Sequence, residues 1–486
     1  MKKLRLQMGG LGRSAPLLAA NMLEAVLPFA RNVALAHLIA PAEFGLAISL
    51  SIVIGMLEVL TDFGLPIFAV RKDAGVGPLA KSAGRDAETA MMGTLQGLAL
   101  FRASLLAVVL IAASPWIAAA FHASDSAPVY ALLGLIVFVR GFENFGVKAA
   151  MRAFVFWREA IVVTAAQVAG LAVTVAVAAL SGGFSCMLWG MLATAVTTVA
   201  LSHVLSPQPY RLHWNREAAR EASVFGRPLL VNGVAVSLNL SDRLLVGSVL
   251  GPGLLALYNV AYGTAQLPRT VLAKFLTSAF LPLFVRHREG DADTSALYDT
   301  WAWCLSCLAF AYGLGLSLLG DHVLAFVFGE TFRPSRLFMC LAGLSLCVKF
   351  LMLLPVPAAY AVGNTRLVAF GSILSALSVI PGAALLVWRH DVELFLAGLT
   401  AAEFVALLVF GRIAIREQAF TRSAGWLAIG TPLLLLAALA TLTILVPELS
   451  FGRWLAACSA ALLLSAAIYG AMVPRFGIGP GALRHA

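Results

Sequence analysis

Residues 161–180 read IVVTAAQVAGLAVTVAVAAL, a stretch of twenty residues without a charged side chain. An α-helix of this length spans about 30 Å, which is the thickness of the hydrocarbon core of a bilayer. Apolar stretches of similar length recur along the whole chain, at intervals of about 25 to 35 residues. Because every backbone polar group in lipid must be hydrogen-bonded within the protein, such long unbroken spans are helices. The sequence therefore predicts an all-α membrane protein.

The composition agrees with this class. Hydrophobic residues make up 60% of the chain, charged residues make up 12%, and the mean hydropathy is +0.91. A soluble domain carries about 25% charged residues to cover its surface. The net charge of the chain is +10. The sequence nevertheless contains no long run of Lys or Arg, because the basic residues lie in short loops between the apolar spans. This distribution indicates membrane topology and argues against a nucleic-acid partner.

We predict fourteen membrane helices, separated by turn signals such as Ala40-Pro41 and Gly251-Pro252. They cover residues 15–38, 43–68, 92–118, 127–150, 156–180, 182–206, 221–248, 254–285, 298–328, 335–362, 366–388, 391–416, 424–446 and 452–474. With this assignment, loops on one side carry 22 of the 34 Lys and Arg residues, and loops on the other side carry 4. Basic loops face the cytoplasm. We therefore expect a multi-pass protein of the bacterial inner membrane with both termini in the cytoplasm.

The two halves of the chain share a weak repeat. Gly12-Arg13, Asn21, Arg31 and Ala40-Pro41 recur as Gly226-Arg227, Asn232, Arg243 and Gly251-Pro252. Paired repeats are the common plan of secondary transporters. The predicted domains are a six-helix bundle at 1–206, a cytoplasmic connector at 207–220, a pseudo-symmetric six-helix bundle at 221–416 and two additional helices at 417–486.

Charged residues at membrane depth are costly and mark a substrate or ion pathway. Within the predicted twelve-helix core the cations outnumber the acids, whereas the last two helices carry no internal charge. The cations are Arg31, Arg102, Arg140, Arg227, Arg243, Arg269, Lys274 and Lys349. The acids are Glu24, Glu58, Asp62, Glu143, Asp242 and Glu403. Surplus guanidinium and ammonium groups suit an anionic substrate with phosphate oxygens.

We assign seven of the cations to a substrate-binding cavity: Arg31, Arg102, Arg140, Arg243, Arg269, Lys274 and Lys349. Five acids are candidates for ion coupling or structural pairing: Glu24, Glu58, Asp62, Asp242 and Glu403. We also expect structural ion pairs of Arg140 with Glu143 on one helix and of Glu24 with a neighbouring arginine.

The sequence lacks the motifs that are typical of metal sites, nucleotide hydrolysis and histidine-based catalysis, which argues against an enzyme. The CxxC spacing of Cys304 and Cys307 lacks a second pair or a nearby histidine, so no metal site is predicted. There is no GxxxxGK[ST] phosphate loop, and the histidines form no catalytic arrangement. We expect neither a metal nor another cofactor.

Three stretches carry a family resemblance: RNVALAHLIAPAEFGL at 31–46, TDFGLPIFAVRK at 61–72 and SDRLLVGSVLGPGLLALYNVAYGTAQ at 241–266. Phe328-Gly329-Glu330 and Gly363-Asn364-Thr365 add to it. With its length and helix number, the chain resembles the polysaccharide transporter family of Wzx-type oligosaccharide flippases. That family belongs to the multidrug/oligosaccharidyl-lipid/polysaccharide (MOP) exporter superfamily.

The resemblance implies two six-helix bundles facing each other in a V, as in MATE transporters, around a central cavity that opens alternately to each side. It implies a substrate, an undecaprenyl-diphosphate-linked oligosaccharide, that crosses from the inner to the outer leaflet. In such proteins arginines on helices 1 and 7 meet the diphosphate or acidic sugars, and Arg31 and Arg243 occupy these places here. Further expected partners are membrane lipids and the polysaccharide polymerase machinery, and the expected state is a monomer.

Three other functions compete with this interpretation. A multidrug antiporter of the same fold favours cationic drugs and an acidic cavity, which the surplus of cations disfavours. A lipid II flippase shares the cationic cavity. A membrane-embedded glycosyltransferase needs acidic catalytic residues in sizeable periplasmic loops, and the loops predicted here are short.

Overall fold

A computed structural model of the chain describes residues 22–24, 26–70, 84–153, 155–269, 272, 295–362 and 364–416, with scattered positions between 430 and 463. Regular structure within these ranges is helical throughout, which confirms the predicted all-α class. Nine helices of the described part are long and apolar enough to cross a membrane. The total of fourteen remains a prediction, since the last two predicted spans lie mostly outside the described residues.

The first eight helices precede residue 206. They are α1 at residues 26–38, α2 at Pro41–Leu60, α3 at Leu65–Val70, α4 at Gly84–Ala120, α5 at Ala127–Arg140, α6 at Gly146–Ala149, α7 at Trp157–Ser181 and α8 at Ser185–Leu205. Pro41 begins α2 at the position where its fixed φ and missing N–H cost nothing. Gly182 ends α7 in the left-handed conformation, with φ at 62°.

The second series begins with a long helix, α9. It comprises α9 at Arg216–Leu250, α10 at Pro252–Tyr258, a π-helical turn at Asn259–Gly263, α11 at residues 264–269, α12 at Ser295–Phe328, α13 at Arg336–Leu351, α14 at Val356–Val362, α15 at Thr365–Leu377, α16 at Val379–Arg389 and α17 at Val392–Arg416. The π-helical turn interrupts what is otherwise a continuous helical run, and such turns occur often at functional sites.

Two predicted spans of the first half are divided by turns. The span 43–68 is α2 and α3, because Gly64 adopts a φ of 62° and its N–H donates to Asp62 Oδ1 over 2.8 Å. The span 127–150 ends as α5 and restarts as α6. Between them the Asn144 side chain accepts from the Gly146 N–H (2.9 Å) and donates to the Gln208 carbonyl (3.0 Å). Both divisions come from short polar side chains that hydrogen-bond to the backbone.

One span of the second half is divided as well. The predicted helix 335–362 is α13 and α14, separated by a turn at 352–355. Pro355 closes this turn, and a proline cannot donate the backbone hydrogen bond that a continuous helix needs at that position.

The described residues form two compact units. Unit 1 contains residues up to 240 together with 251–256, and unit 2 contains residues 241–250 together with those from 257 onward. In unit 1 α7 packs closely along α8, since a Cβ on Gly190 would lie 1.7 Å from Thr174 Oγ1. In unit 2 α12 packs along α13, and α17 packs against both α13 and α16. The domain bounds given by the sequence remain a prediction.

Candidate substrate-binding site

Unit 1 contains a cavity of about 310 Å³ that is lined by residues of α2, α3, α4, α5 and α6 and of the turns between them, and we call it the charged cavity. Its lining combines apolar residues with three cations and three acids. The charged members are Glu58, Asp62, Arg102, Arg140, Glu143 and Lys148. Four of them were predicted from the sequence as site residues, so the fold of unit 1 brings these four together.

Both arginines of the charged cavity have a carboxylate partner. Arg140 Nη1 donates to Glu58 Oε1 across from α5 to the end of α2. Arg102 Nη1 donates to the Thr61 carbonyl over 3.1 Å and lies 3.9 Å from Asp62 Oδ1. The pairs are partly open to solvent, with 45% of the Arg140 side chain and 52% of the Asp62 side chain exposed. The positive charge at this place is therefore compensated.

The expected ion pair of Arg140 with Glu143 is wrong. Helix α5 ends at Arg140, so Glu143 lies in the following turn and not one helical turn further along the same face. Glu143 Oε1 instead accepts from Lys148 Nζ over 2.7 Å, and Glu159 Oε1 lies 3.9 Å from the same nitrogen. Glu24 is exposed and forms no ion pair within the described part of the chain.

Unit 2 contains a polar network inside the protein, which we call the buried network. Lys349 Nζ of α13 lies 3.0 Å from Glu403 Oε1 of α17, with 13% and 1% of the two side chains exposed. Ser345 Oγ donates to Glu403 Oε2 (2.8 Å) and lies 2.7 Å from the Tyr262 hydroxyl. The Lys349 ammonium also lies over the Tyr262 ring, 5.3 Å from its centroid. The Lys349 charge is thus fully compensated by residues of its own unit.

Three of the predicted cations differ from these paired residues. In the part of the chain that the structure describes, Arg31, Arg243 and Arg269 form no ion pair with a carboxylate. Each has a buried Nε atom without a hydrogen-bond partner. Arg269 donates from Nη1 to the Lys349 carbonyl over 3.4 Å, and no carboxylate oxygen of the described residues lies within 4.0 Å of its guanidinium nitrogens. Lys274, the seventh predicted cation, lies outside the described residues.

Asp242 lies beside Arg243 in the sequence but does not compensate it. Its side chain is buried, its Oδ2 accepts from the Tyr258 hydroxyl (2.9 Å), and its Oδ1 accepts from the Arg243 backbone N–H (2.8 Å). Both carboxylate oxygens are therefore occupied by neutral donors.

Sequence reasoning missed the residues that complete these clusters. Tyr258, Tyr262 and Ser345 are neutral side chains in apolar helices, and nothing in a single sequence distinguishes them from other packed residues. Lys148 and Glu159 were not among the predicted site residues. Within the described residues, no group of three or more His, Cys, Asp or Glu side chains is placed to hold a metal ion.

A family model described as "Polysaccharide biosynthesis protein" matches residues 34–337, which is more than half of the chain. The chain belongs to the polysaccharide biosynthesis protein family. The matched range contains the second half of the weak repeat, only Ala40-Pro41 of the first half, and Tyr262 of the buried network. It ends before Lys349 and Glu403.

Among curated proteins, this polysaccharide biosynthesis protein is 23% identical over 319 residues to the lipopolysaccharide biosynthesis protein WzxC of Escherichia coli (strain K12). The match covers 64% of this chain and 62% of that relative. The chain thus spans less than two thirds of the length of the curated relatives that it matches.

Solved structures give the fold. A lipid II flippase, MurJ, in an inward closed conformation matches with a TM-score of 0.67 at 11% identity, covering 94% of this chain and 99% of that one. An inward-facing multidrug resistance MATE family transporter of the MOP superfamily matches with a TM-score of 0.63 at 14% identity, covering 82% and 94%. These matches confirm the predicted MATE-like fold, and this member of the polysaccharide biosynthesis family is a multi-pass membrane protein. Membership of the MOP superfamily stays a prediction.

Proposed function

We propose that this protein is a flippase that moves an undecaprenyl-diphosphate-linked oligosaccharide repeat unit across the bacterial inner membrane by alternating access. The family points to polysaccharide biosynthesis, and the fold is shared with transporters. The observation that carries the proposal is that Arg31, Arg243 and Arg269 have no carboxylate partner among the residues that the structure describes. These three residues are the proposed substrate contacts.

An uncompensated guanidinium inside a membrane protein is costly, because desolvation of the charge is not balanced by an opposite charge. A diphosphate supplies that balance and presents several oxygens to the planar donor groups of arginine. An acidic binding partner thus explains why three arginines remain without carboxylates. A cationic drug as the substrate does not explain these arginines, because it would add further positive charge.

The paired residues take a different part in this proposal. Arg102 and Arg140 on unit 1, and Lys349 on unit 2, already have carboxylate partners, so we assign them to holding helices together. Glu58, Asp62 and Glu403 are their partners, and this pairing role is preferred over ion coupling. Lys274 remains a proposed contact on sequence grounds alone.

We propose the domain organisation that the sequence predicts. It comprises six-helix bundles at 1–206 and 221–416, a connector at 207–220 and two further helices at 417–486. Both termini face the cytoplasm, the protein acts as a monomer, and its product passes to a polysaccharide polymerase. It needs no cofactor and catalyses no covalent step.

The test is complementation of a strain that lacks this gene. We expect Arg31→Ala, Arg243→Ala and Arg269→Ala to reduce glycan export by a factor of about 30 or more each, because removing a charged partner costs about 2 kcal/mol or more. Arg412→Ala, an exposed arginine of α17 outside the proposed site, serves as the matched control and retains export. Export is measured as surface polysaccharide, and protein level in the membrane fraction is measured in parallel.

Normal polysaccharide in all three variants, at normal protein level, would contradict the assignment. Loss of lipid II translocation in the same strain would favour the lipid II flippase. Loss of resistance to cationic drugs, with unaltered polysaccharide, would favour the multidrug antiporter.

A further inference from the structure

Tyr258 holds a buried carboxylate next to one of the three uncompensated arginines. Its hydroxyl donates to Asp242 Oδ2 over 2.9 Å, and the residue is 1% exposed. The ring is fixed by aromatic neighbours, with Phe338 and Phe395 in edge contacts at 6.1 and 6.0 Å between centroids. A ring packed in this way keeps the hydroxyl in one place.

Asp242 and Arg243 are consecutive residues on α9, so the carboxylate reaches the guanidinium only if one of the two side chains turns around the helix toward the other. The Tyr258 hydroxyl supports this separation, since it satisfies the carboxylate oxygen that could otherwise turn toward the guanidinium. Both Asp242 oxygens then have donors, and Arg243 keeps its full charge.

The π-helical turn that follows Tyr258 places its last residue, Gly263, against the Arg243 side chain. A Cβ on Gly263 would lie 3.2 Å from Arg243 Nη2 and 3.0 Å from Asn259 Oδ1. Both distances are shorter than ordinary van der Waals contact, so a larger residue at position 263 would require the guanidinium and the Asn259 amide to shift.

We propose that Tyr258 is a positioning residue that keeps Asp242 from neutralising Arg243, so that Arg243 stays free for an anionic phosphate group. This inference rests on the proposed function, because it concerns the same anion contact. The inference adds to the proposed function that specificity for an anion depends on Tyr258, a neutral residue that does not contact the substrate.

Removal of the Tyr258 hydroxyl leaves a buried Asp242 oxygen without a donor, and such an oxygen costs free energy until it finds one. Arg243 has no carboxylate partner in the described part of the chain and is adjacent to Asp242. The carboxylate therefore turns toward Arg243, and the net charge at the anion contact falls.

The experiment measures binding of undecaprenyl diphosphate to the purified full-length protein in detergent, with uncharged undecaprenol as the reference lipid. We expect Tyr258→Phe to weaken binding of the diphosphate about tenfold, as expected for losing one charge contact, with no change for undecaprenol. Addition of Asp242→Asn to Tyr258→Phe should restore the affinity, because no carboxylate is left to neutralise Arg243. If the Tyr258 hydroxyl had only a structural role, addition of Asp242→Asn would not restore the affinity of Tyr258→Phe for the diphosphate.

Tyr262→Phe is the matched control. It removes a buried hydroxyl one helical turn further along the chain but leaves the contact between Tyr258 and Asp242 in place. We expect its affinity for the diphosphate to stay unchanged, and Asp242→Asn to have no restoring effect in its background.

The outcomes separate this inference from the proposed function. If Arg243→Ala binds the diphosphate normally, the anion contact itself is wrong. If Arg243→Ala loses binding while Tyr258→Phe does not, or while the double variant stays weak, the role of Tyr258 is overturned. Should Tyr258→Phe fail to fold, Asp242→Asn alone still decides, since it is expected to bind the diphosphate as tightly as the wild type, in which Asp242 is already held away from Arg243. Tighter binding by Asp242→Asn would show that Asp242 neutralises Arg243 in the wild type and would overturn the inference.

Discussion

The charged cavity of unit 1 and the surroundings of Arg243 in unit 2 place arginine beside acid in two different ways. In the charged cavity, Arg140 contacts Glu58 and Arg102 lies 3.9 Å from Asp62, so each arginine is paired with a carboxylate. Near Arg243, the adjacent Asp242 is occupied by a tyrosine hydroxyl and a backbone N–H, and no other carboxylate of the described ranges forms an ion pair with this arginine.

The difference shows that a count of cations in a membrane protein does not tell how many of them are already paired with carboxylates. We propose that the paired cations stabilise helix packing and that the arginines without a carboxylate partner in the described residues contact an anionic substrate. Substitutions at three positions test the paired side of this comparison.

The largest effect is expected at the buried network, where pairing is most complete. Lys349→Met leaves the Glu403 carboxylate buried without its cation, and breaking a buried ion pair in this way costs about 3–5 kcal/mol. We expect a marked loss of thermal stability in detergent, measured by size-exclusion chromatography after heating. Combining Lys349→Met with Glu403→Leu removes both charges and is expected to restore most of the stability. A double variant as unstable as the single one would show that the network matters for more than charge compensation.

Lys349 also shows what the sequence alone could predict. It was recognised as a cation at membrane depth, but its partner Glu403 lies 54 residues further along the chain, on another helix. Pairing over such a separation depends on which helices pack together, and no periodicity in one sequence contains that information. The sign and depth of the charges were therefore predictable, and their partners were not.

The helices themselves were largely predictable, because lipid forces long apolar spans to be helical. Helices α7, α8 and α17 begin and end within a few residues of the predicted bounds. The divided spans were not predicted, since their turns depend on local contacts such as that of Asp62 with the Gly64 N–H. The same kind of turn accounts for the wrong pairing of Arg140, because α5 ends before Glu143.

A smaller effect is expected where pairing is partly open to solvent. Glu58 and Arg140 are half-buried, and ion pairs of this kind contribute about 0.2–1 kcal/mol. Arg140→Met should therefore lower thermal stability only slightly and should leave diphosphate binding close to that of the wild type. Exchange of the two charges in Glu58→Arg with Arg140→Glu is expected to restore the lost stability. A loss of binding as large as that of Arg243→Ala would place Arg140 among the substrate contacts and break the comparison.

The smallest effect is expected at Asp62, whose two roles can be separated. Its Oδ1 lies 3.9 Å from Arg102 Nη1 and accepts from the Gly64 N–H over 2.8 Å, and half of the side chain is exposed. Asp62→Asn removes the charge but keeps the acceptor, so we expect a change in thermal stability corresponding to less than about 0.5 kcal/mol. Asp62→Ala also removes the acceptor that shapes the turn after α2, and should cost about 1 kcal/mol. If the two variants were equally destabilised, the charge and not the turn would be what Asp62 contributes. Exposed pairs in the charged cavity would then have to be treated like the buried pair of Lys349 and Glu403.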